Sequence, residues 1–167
     1  MIFVILILSV VAMAFLFILS QKRWQRNLSF VFAVFFVVSL GLIVANFNQH
    51  LGMETANKSQ TVNLESSLKD QKAKALLYKP LGDGSEKVYL YETKDSEKLQ
   101  STGKDQVINH IDHHADQAQL HIEKTEWVYK SGFYRLLFGI SGNEHEFIQQ
   151  ENQFELPSDW KILSTEQ

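Results

Sequence analysis

Two uninterrupted apolar runs, Ile2 to Leu19 and Leu28 to Ala45, open the chain on either side of a basic break, Gln21-Lys22-Arg23-Trp24-Gln25-Arg26-Asn27. Each run holds 18 residues without a charge, and a helix of that length covers ~27 Å, about the hydrocarbon thickness of a bilayer. The pattern predicts two membrane-spanning helices, about residues 2–19 and 28–45, with a connecting loop over 20–27. Residues 46–72 are polar and carry only a weak helical face of Val62, Leu64 and Leu68, so they read as a tether. From 73 to 167 aromatic and β-branched residues return and predict a small globular domain.

Within that domain the alternation places strands. Ala75 to Lys79 and Lys87 to Glu92 flank Pro80-Leu81-Gly82-Asp83-Gly84-Ser85, where Asp-Gly suits a reversal, and predict a hairpin. Val88 and Leu90 alternate with Tyr89 and Tyr91, apolar on both faces, as in an interior or covered strand. Thr93 to Lys104 reads as a polar loop, Val107 to Ile111 as a short strand and Ala118 to Tyr129 as a longer one. The apolar phase of the last shifts before Trp127, which predicts a bulge or bend near Thr125. Phe133 to Phe138 is too uniformly apolar to distinguish a short helix from a buried strand. Glu144 to Gln150 and Gln153 to Leu156 are strand candidates, and Trp160 and Ile162 are expected to pin the C-terminal segment to the core. The expected fold is a membrane helical hairpin followed by a small α+β, mainly antiparallel domain, with an all-β outer domain as the alternative.

Charge then orients the chain. Lys22, Arg23 and Arg26 are the only ionisable side chains of residues 1–45, so the positive-inside rule puts loop 20–27 in the cytoplasm and both termini outside. Trp24 fits an interfacial anchor. The first run lacks a basic leading region and a small-residue end, so it is expected to be retained as a span instead of being cleaved as a signal peptide. Ala33, Gly41 and Ala45 fall on one helical face, a small-residue stripe of the kind that lets helices approach closely. Residues 46–167 carry 13 basic and 19 acidic residues, a balance that argues against nucleic acid as a partner. With no cysteine there is no disulfide, thiolate chemistry or lipid-modified cysteine anchor.

The two-span N-terminus combined with Leu77-Tyr78-Lys79-Pro80-Leu81-Gly82, Val88-Tyr89-Leu90-Tyr91, Trp127-Val128-Tyr129-Lys130 and Phe133-Tyr134-Arg135-Leu136-Leu137-Phe138-Gly139-Ile140-Ser141-Gly142-Asn143 resembles a family of bacterial two-span membrane proteins of uncharacterised function. The resemblance covers nearly the whole chain. Members of that family are often encoded beside multidrug efflux permeases of the major facilitator type, which implies an accessory role at the cell membrane. The resemblance brings no catalytic residues with it.

Candidate chemistry is sparse. His110, Asp112, His113 and His114 have metal-ligand types at metal-like density, and His121 and His145 are potential additions in space, but no fixed fourth ligand is evident, so no structural zinc or other cofactor is expected. Gly139-Ile140-Ser141-Gly142 departs from the nucleophile-elbow order and reads as a turn. Glu144 and Glu146 read as exposed carboxylates and not as an acid–base pair. Between Trp127 and Ile140 nine of fourteen residues are apolar or aromatic, more than one face of so small a domain needs to bury, and Trp127, Tyr129, Phe133, Tyr134 and Arg135 are the candidate contact residues. These readings favour a non-enzymatic membrane accessory or interaction protein, whose partners are the lipid bilayer together with a membrane transporter, an envelope component or a second copy. The alternative is an extracytoplasmic module for a metal or small ligand, and a membrane-anchored hydrolase is least supported.

Overall fold

The computed structural model describes residues 1–19, 23–68, 74–82, 84, 86–94, 96–103 and 105–166. The chain divides into two compact units, Met1–Ala56 with Trp127–Glu146, and Asn57–Glu126 with Phe147–Gln167.

The first unit is built on two helices, α1 (Ile2–Ile18) and α2 (Arg23–Gln49). Their inward positions alternate by threes and fours, Ile2, Leu6, Ser9, Met13 and Leu16 on α1 against Ser29, Phe32, Phe36, Ser39, Ile43 and Asn46 on α2. That spacing is the heptad seam of a left-handed helix pair. Serine supplies the close approach: Ser9, Ser29 and Ser39 are buried, and the Ser29 hydroxyl donates to the Met13 carbonyl across the pair at 3.1 Å. The Ala33–Gly41–Ala45 stripe does not make this seam, since Gly41 is exposed with nothing within 4 Å of where a Cβ would stand. Steps of four overshoot a 3.5-residue repeat, so the row drifts off the buried face. α2 starts at Arg23, earlier than the apolar run; residues 20–22, including Lys22, lie outside the described residues.

The sheet strands are β1 (Met53–Glu65), β2 (Lys74–Leu81), β3 (Glu86–Thr93), β4 (Ser96–Ser101), β5 (Val107–Asp112), β6 (Gln119–Tyr129), β7 (Phe147–Glu155) and β8 (Trp160–Ser164). Their order is β5-β7-β6-β1-β3-β2-β8, with β4 on β3. Pairing is mostly antiparallel, but β2 with β8 and β5 with β7 are parallel. The unit boundary falls inside β1 and β6. The expected β2–β3 hairpin forms with Leu77 opposite Leu90 and Leu81 opposite Glu86. Gly82 and Gly84 both take positive φ in its turn, while Asp83 and Ser85 lie outside the described residues. The register of β6 on β7 shifts between Thr125 and Glu126, where the apolar phase changes.

The second unit's core joins strands that are distant in the sheet. Tyr89 and Tyr91 of β3 pack on Phe154 of β7 at 5.3 and 6.2 Å between ring centres, although two strands separate β3 from β7, so the sheet curls over itself. Leu76, Leu120, Leu156 and Trp160 complete this core, with Ile162 packed against it. The C-terminal strand is thus pinned as expected.

Several boundaries differ from the sequence expectation. Residues 46–49 continue α2 and residues 53–65 form β1, where a tether was expected. β1 lacks an apolar alternation because most of its side chains are exposed, and its place between β6 and β3 is fixed by backbone pairing. The same cause hid β4 in the expected loop 93–104. The two strand candidates after Glu144 are one strand, β7, that begins only at Phe147. At the coarse level the fold is helices followed by a mixed, mostly antiparallel sheet.

Candidate interaction surface

The last turn of α2 begins the candidate surface. His50 takes φ of 52°, a left-handed residue that ends α2, and the Leu51 amide reaches back to the Ala45 carbonyl at 3.3 Å. Gly52 follows at φ of 81° against the ring of Tyr134, where a Cβ would lie 2.6 Å from Cγ, so only glycine fits. Beneath the cap Asn46, fully buried, donates to the Leu51 carbonyl at 2.9 Å and accepts from the Asn143 amide at 3.0 Å. Asn143 in turn accepts from the Tyr129 hydroxyl at 2.6 Å. Burial first, and then the Glu144 carboxylate, push the Tyr129 phenol above its ordinary range.

The segment after β6 is a helix, α3 (Gly132–Phe138), followed by a single 3-10 turn, Gly139–Ser141. It distributes the apolar residues unevenly. Phe138 is fully buried and Tyr129 nearly so, in a cluster with Ile2, Ile43 and Met53. Trp127, Tyr134 and Leu137 are half-buried against the same cluster. Trp127 also stacks on His50 at 4.1 Å, and the His50 Nε2 lies 3.8 Å from Glu146. Arg135 is exposed, but its guanidinium is held by Glu144, with Nε donating at 2.8 Å. The expected contact residues therefore split: Tyr129, Trp127 and Tyr134 spend their rings on packing, Arg135 on an ion pair, and Phe133 remains 66% exposed. Leu136 at 63% and Ile140 at 67% join it, three and seven positions on, which is one helical face. Sequence spacing carried that grouping only once 132–138 is known to be helical. Asn46, His50, Gly52 and Asn143 left no sequence signal beyond polar or glycine residues at the end of an apolar run.

The histidines do not converge. His110 lies on β5 and His121 on β6, both opposite Gln153 of β7. Two strand spacings, about 10 Å, separate them, too far to share an ion. His121 is held between Thr61 Oγ1 at 2.8 Å and Glu155 at 3.3 Å. At the end of β5, the Asp112 carboxylate accepts from the His114 amide at 3.0 Å and lies 3.3 Å from its ring, contacts that hold the Asp112 pKa below its ordinary value, with the backbone bond foremost. His113 and His114 are exposed. Among the described residues no three His, Asp or Glu side chains form a metal-holding group.

The architecture is that of a helix-plus-β chain in which α2, at 27 residues, is long and apolar enough to cross a membrane, while the apolar α1 is shorter at 17. The chain belongs to DUF4811, a family described as a domain of unknown function, whose signature covers residues 21–167 and so begins after α1. No curated protein and no solved structure matches the chain.

Proposed function

We propose that the protein is a non-enzymatic membrane accessory or interaction protein, with α1 and α2 inserted as a hairpin, the basic turn in the cytoplasm and both ends of the chain outside. One observation carries this reading: only 11% of the most apolar stretch of α2 is buried within the protein, and its outward side chains include Phe30, Val34, Phe35, Val38 and Val44. A core helix of a water-soluble domain would hide such a surface; here the buried seam is partly serine and the outward face is aliphatic and aromatic, the inverse of a soluble helix pair. α1 matches it with exposed Val4, Ile7, Leu8 and Val11. Arg23, Arg26 and the exposed Trp24 sit on the first turn of α2, where an interfacial anchor belongs. The partner is a transporter, an envelope component or a second copy. The test has three parts: labelling, gentle solubilisation and alkaline extraction. In intact cells an impermeant maleimide should modify Thr165→Cys and spare Gln25→Cys, and gentle solubilisation should retain a stoichiometric membrane partner. Modification of position 25 alone would overturn the orientation, and release of the protein by alkaline carbonate would overturn the membrane assignment.

A second reading, a module for a small ligand, is favoured by a groove of about 800 Å³ in the second unit. Lys87 and Tyr89 of β3 and Val107 and Asn109 of β5 line it, with Gln106 and Gln149. Native mass spectrometry of the purified protein tests this through a retained small molecule.

A further inference from the structure

We propose that the face of α3 and its following turn formed by Phe133, Leu136 and Ile140 rests in the outer interfacial layer of the bilayer, a third lipid contact beside the two helices of the hairpin. The inference rests on the hairpin reading above and assigns this face to lipid instead of to a protein.

The segment is divided as an interfacial element is divided. Tyr134, Leu137 and Phe138 turn inward onto Ile2, Ile43 and Met53, while Phe133, Leu136 and Ile140 are each about two-thirds exposed on the opposite side. A soluble surface tolerates single exposed apolar residues, but three large ones at positions i, i+3 and i+7 form a stripe. Its continuity with α1 identifies the occupant. The Met1 nitrogen donates to the carbonyls of Leu136 and Leu137 at 2.9 and 3.0 Å, which fixes the last turn of α3 to the first turn of α1. Met1, Leu136 and Ile140 line one shallow hollow with Gly132, Gly139 and Arg135. Beyond Met1 the outward surface of α1 continues through Val4, Ile5 and Leu8, all exposed. The apolar stripe of α3 is thus the upper end of the surface that the hairpin presents to acyl chains. α3 lies at the end of the hairpin where α1 starts and α2 finishes, away from the basic turn, so the layer it meets is the outer one. Lys130, exposed just before α3, supplies the long cationic side chain that reaches lipid phosphate from such a position.

The chain has no cysteine, so a single labelled site reports cleanly. Full-length protein carrying Leu136→Cys, modified with an environment-sensitive fluorophore, is reconstituted into vesicles of phosphatidylcholine and phosphatidylglycerol containing lipids with a nitroxide either near the headgroup or near the chain end. Ile140→Cys repeats the measurement if Leu136→Cys folds poorly. Val11→Cys on α1 and Leu99→Cys on β4 are the reference sites. The expected result is strong quenching at position 136 by the headgroup-proximal nitroxide, weaker quenching by the chain-end nitroxide, and deep quenching at position 11. Quenching at 11 without quenching at 136 or 140 overturns the inference and leaves the hairpin reading standing. Loss of quenching at 11 as well removes both. A label at 136 shielded from aqueous iodide yet untouched by either nitroxide means that protein covers the face, and this also overturns the inference.

Discussion

Asn143 donates its side-chain amide to the side-chain oxygen Oδ1 of Asn46 at 3.0 Å, joining residues 97 positions apart where both are buried. The pair satisfies two amides that would otherwise be desolvated beside an apolar helix, and it spans from α2 to the turn that follows α3. Removing one member strands the other, and an unsatisfied buried polar group costs about 1–3 kcal/mol. Asn143→Ala is therefore expected to lower stability by about that amount, because both Asn46 and the Tyr129 hydroxyl lose a partner. Tyr129→Phe removes a single bond and should cost about 1 kcal/mol. Thermal unfolding in detergent checks the order; equal midpoints for both variants and the wild type would show that the network is idle.

The raised Tyr129 pKa gives a pH dependence of definite sign. A phenol whose folded pKa lies above its unfolded value favours the protonated form on folding, so its stabilising contribution is complete below pH 10.0 and is lost as the pH climbs through the folded value. Tyr89 and Tyr91 are raised as well, both by burial foremost, and add to the same slope. Stability should fall steeply above pH 10, less steeply in Tyr129→Phe, and difference absorbance should show delayed phenol ionisation that urea abolishes. An identical alkaline slope in Tyr129→Phe would refute the assignment.

Gly52→Ala tests the cap of α2. The substitution forces a side chain into a left-handed conformation and onto the Tyr134 ring, and should cost about 2–4 kcal/mol when strain and overlap add. Gly41→Ala, in the apolar stretch with open space around it, should be near neutral or stabilising by a few tenths of a kcal/mol. Gly52→Ala combined with Tyr134→Ala should lose less than the sum of the singles, since the overlap disappears. Strict additivity would mean that the cost is all backbone.

Where the register of β6 on β7 shifts, Glu126 is buried with a side-chain exposure of 5% and forms an ion pair with Lys58 of β1. The lysine end is exposed, so the pair is worth less than a fully buried one; Lys58→Met should cost about 1–3 kcal/mol by leaving a desolvated carboxylate without this cation. Lys58→Met with Glu126→Gln should recover most of the loss. Urea unfolding of the three proteins decides it, and no recovery in the double variant would place the cost in the lysine stem and not in the charge.

What was legible in the sequence follows from which residues meet apolar neighbours. The β2–β3 hairpin shows itself because Leu76, Val88, Tyr89 and Tyr91 are buried at strand spacing. The shift between Thr125 and Glu126 shows itself because Leu120 and Tyr129 both point inward on either side of it. β1 was invisible for the opposite reason: from Glu54 to Thr61 no side chain is buried, and backbone bonds leave no trace in composition. The exposed apolar face of α3 was half legible. The surplus of large residues between Trp127 and Ile140 is real, but which of them face outward depended on α3 being helical, and an apolar run of six residues fits either period.

Were residues 46–72 a polar tether, the chain beyond them would fold alone; β1 within that stretch makes the second unit behave otherwise. A chain starting at residue 73 keeps the hairpin and β5 to β8, yet it lacks β1, which lies between β6 and β3 in the strand order and brings Leu64 into the core. Two strand edges would be left open and the core incomplete, so this chain should aggregate or unfold without cooperativity. Retaining β1 from Asn57 changes the outcome. Glu126 and Phe147 are directly paired in the β6–β7 ladder, so residues 127–146 can be replaced by an Asn-Gly pair that closes a two-residue hairpin. The resulting protein, residues 57–126 joined to 147–167, corresponds to the second unit and should stay soluble without detergent and unfold in one urea transition. A single transition for the chain from 73 would show that β1 is dispensable. A broad, non-cooperative melt for the 57–126/147–167 protein would show that this unit depends on the helices for its stability.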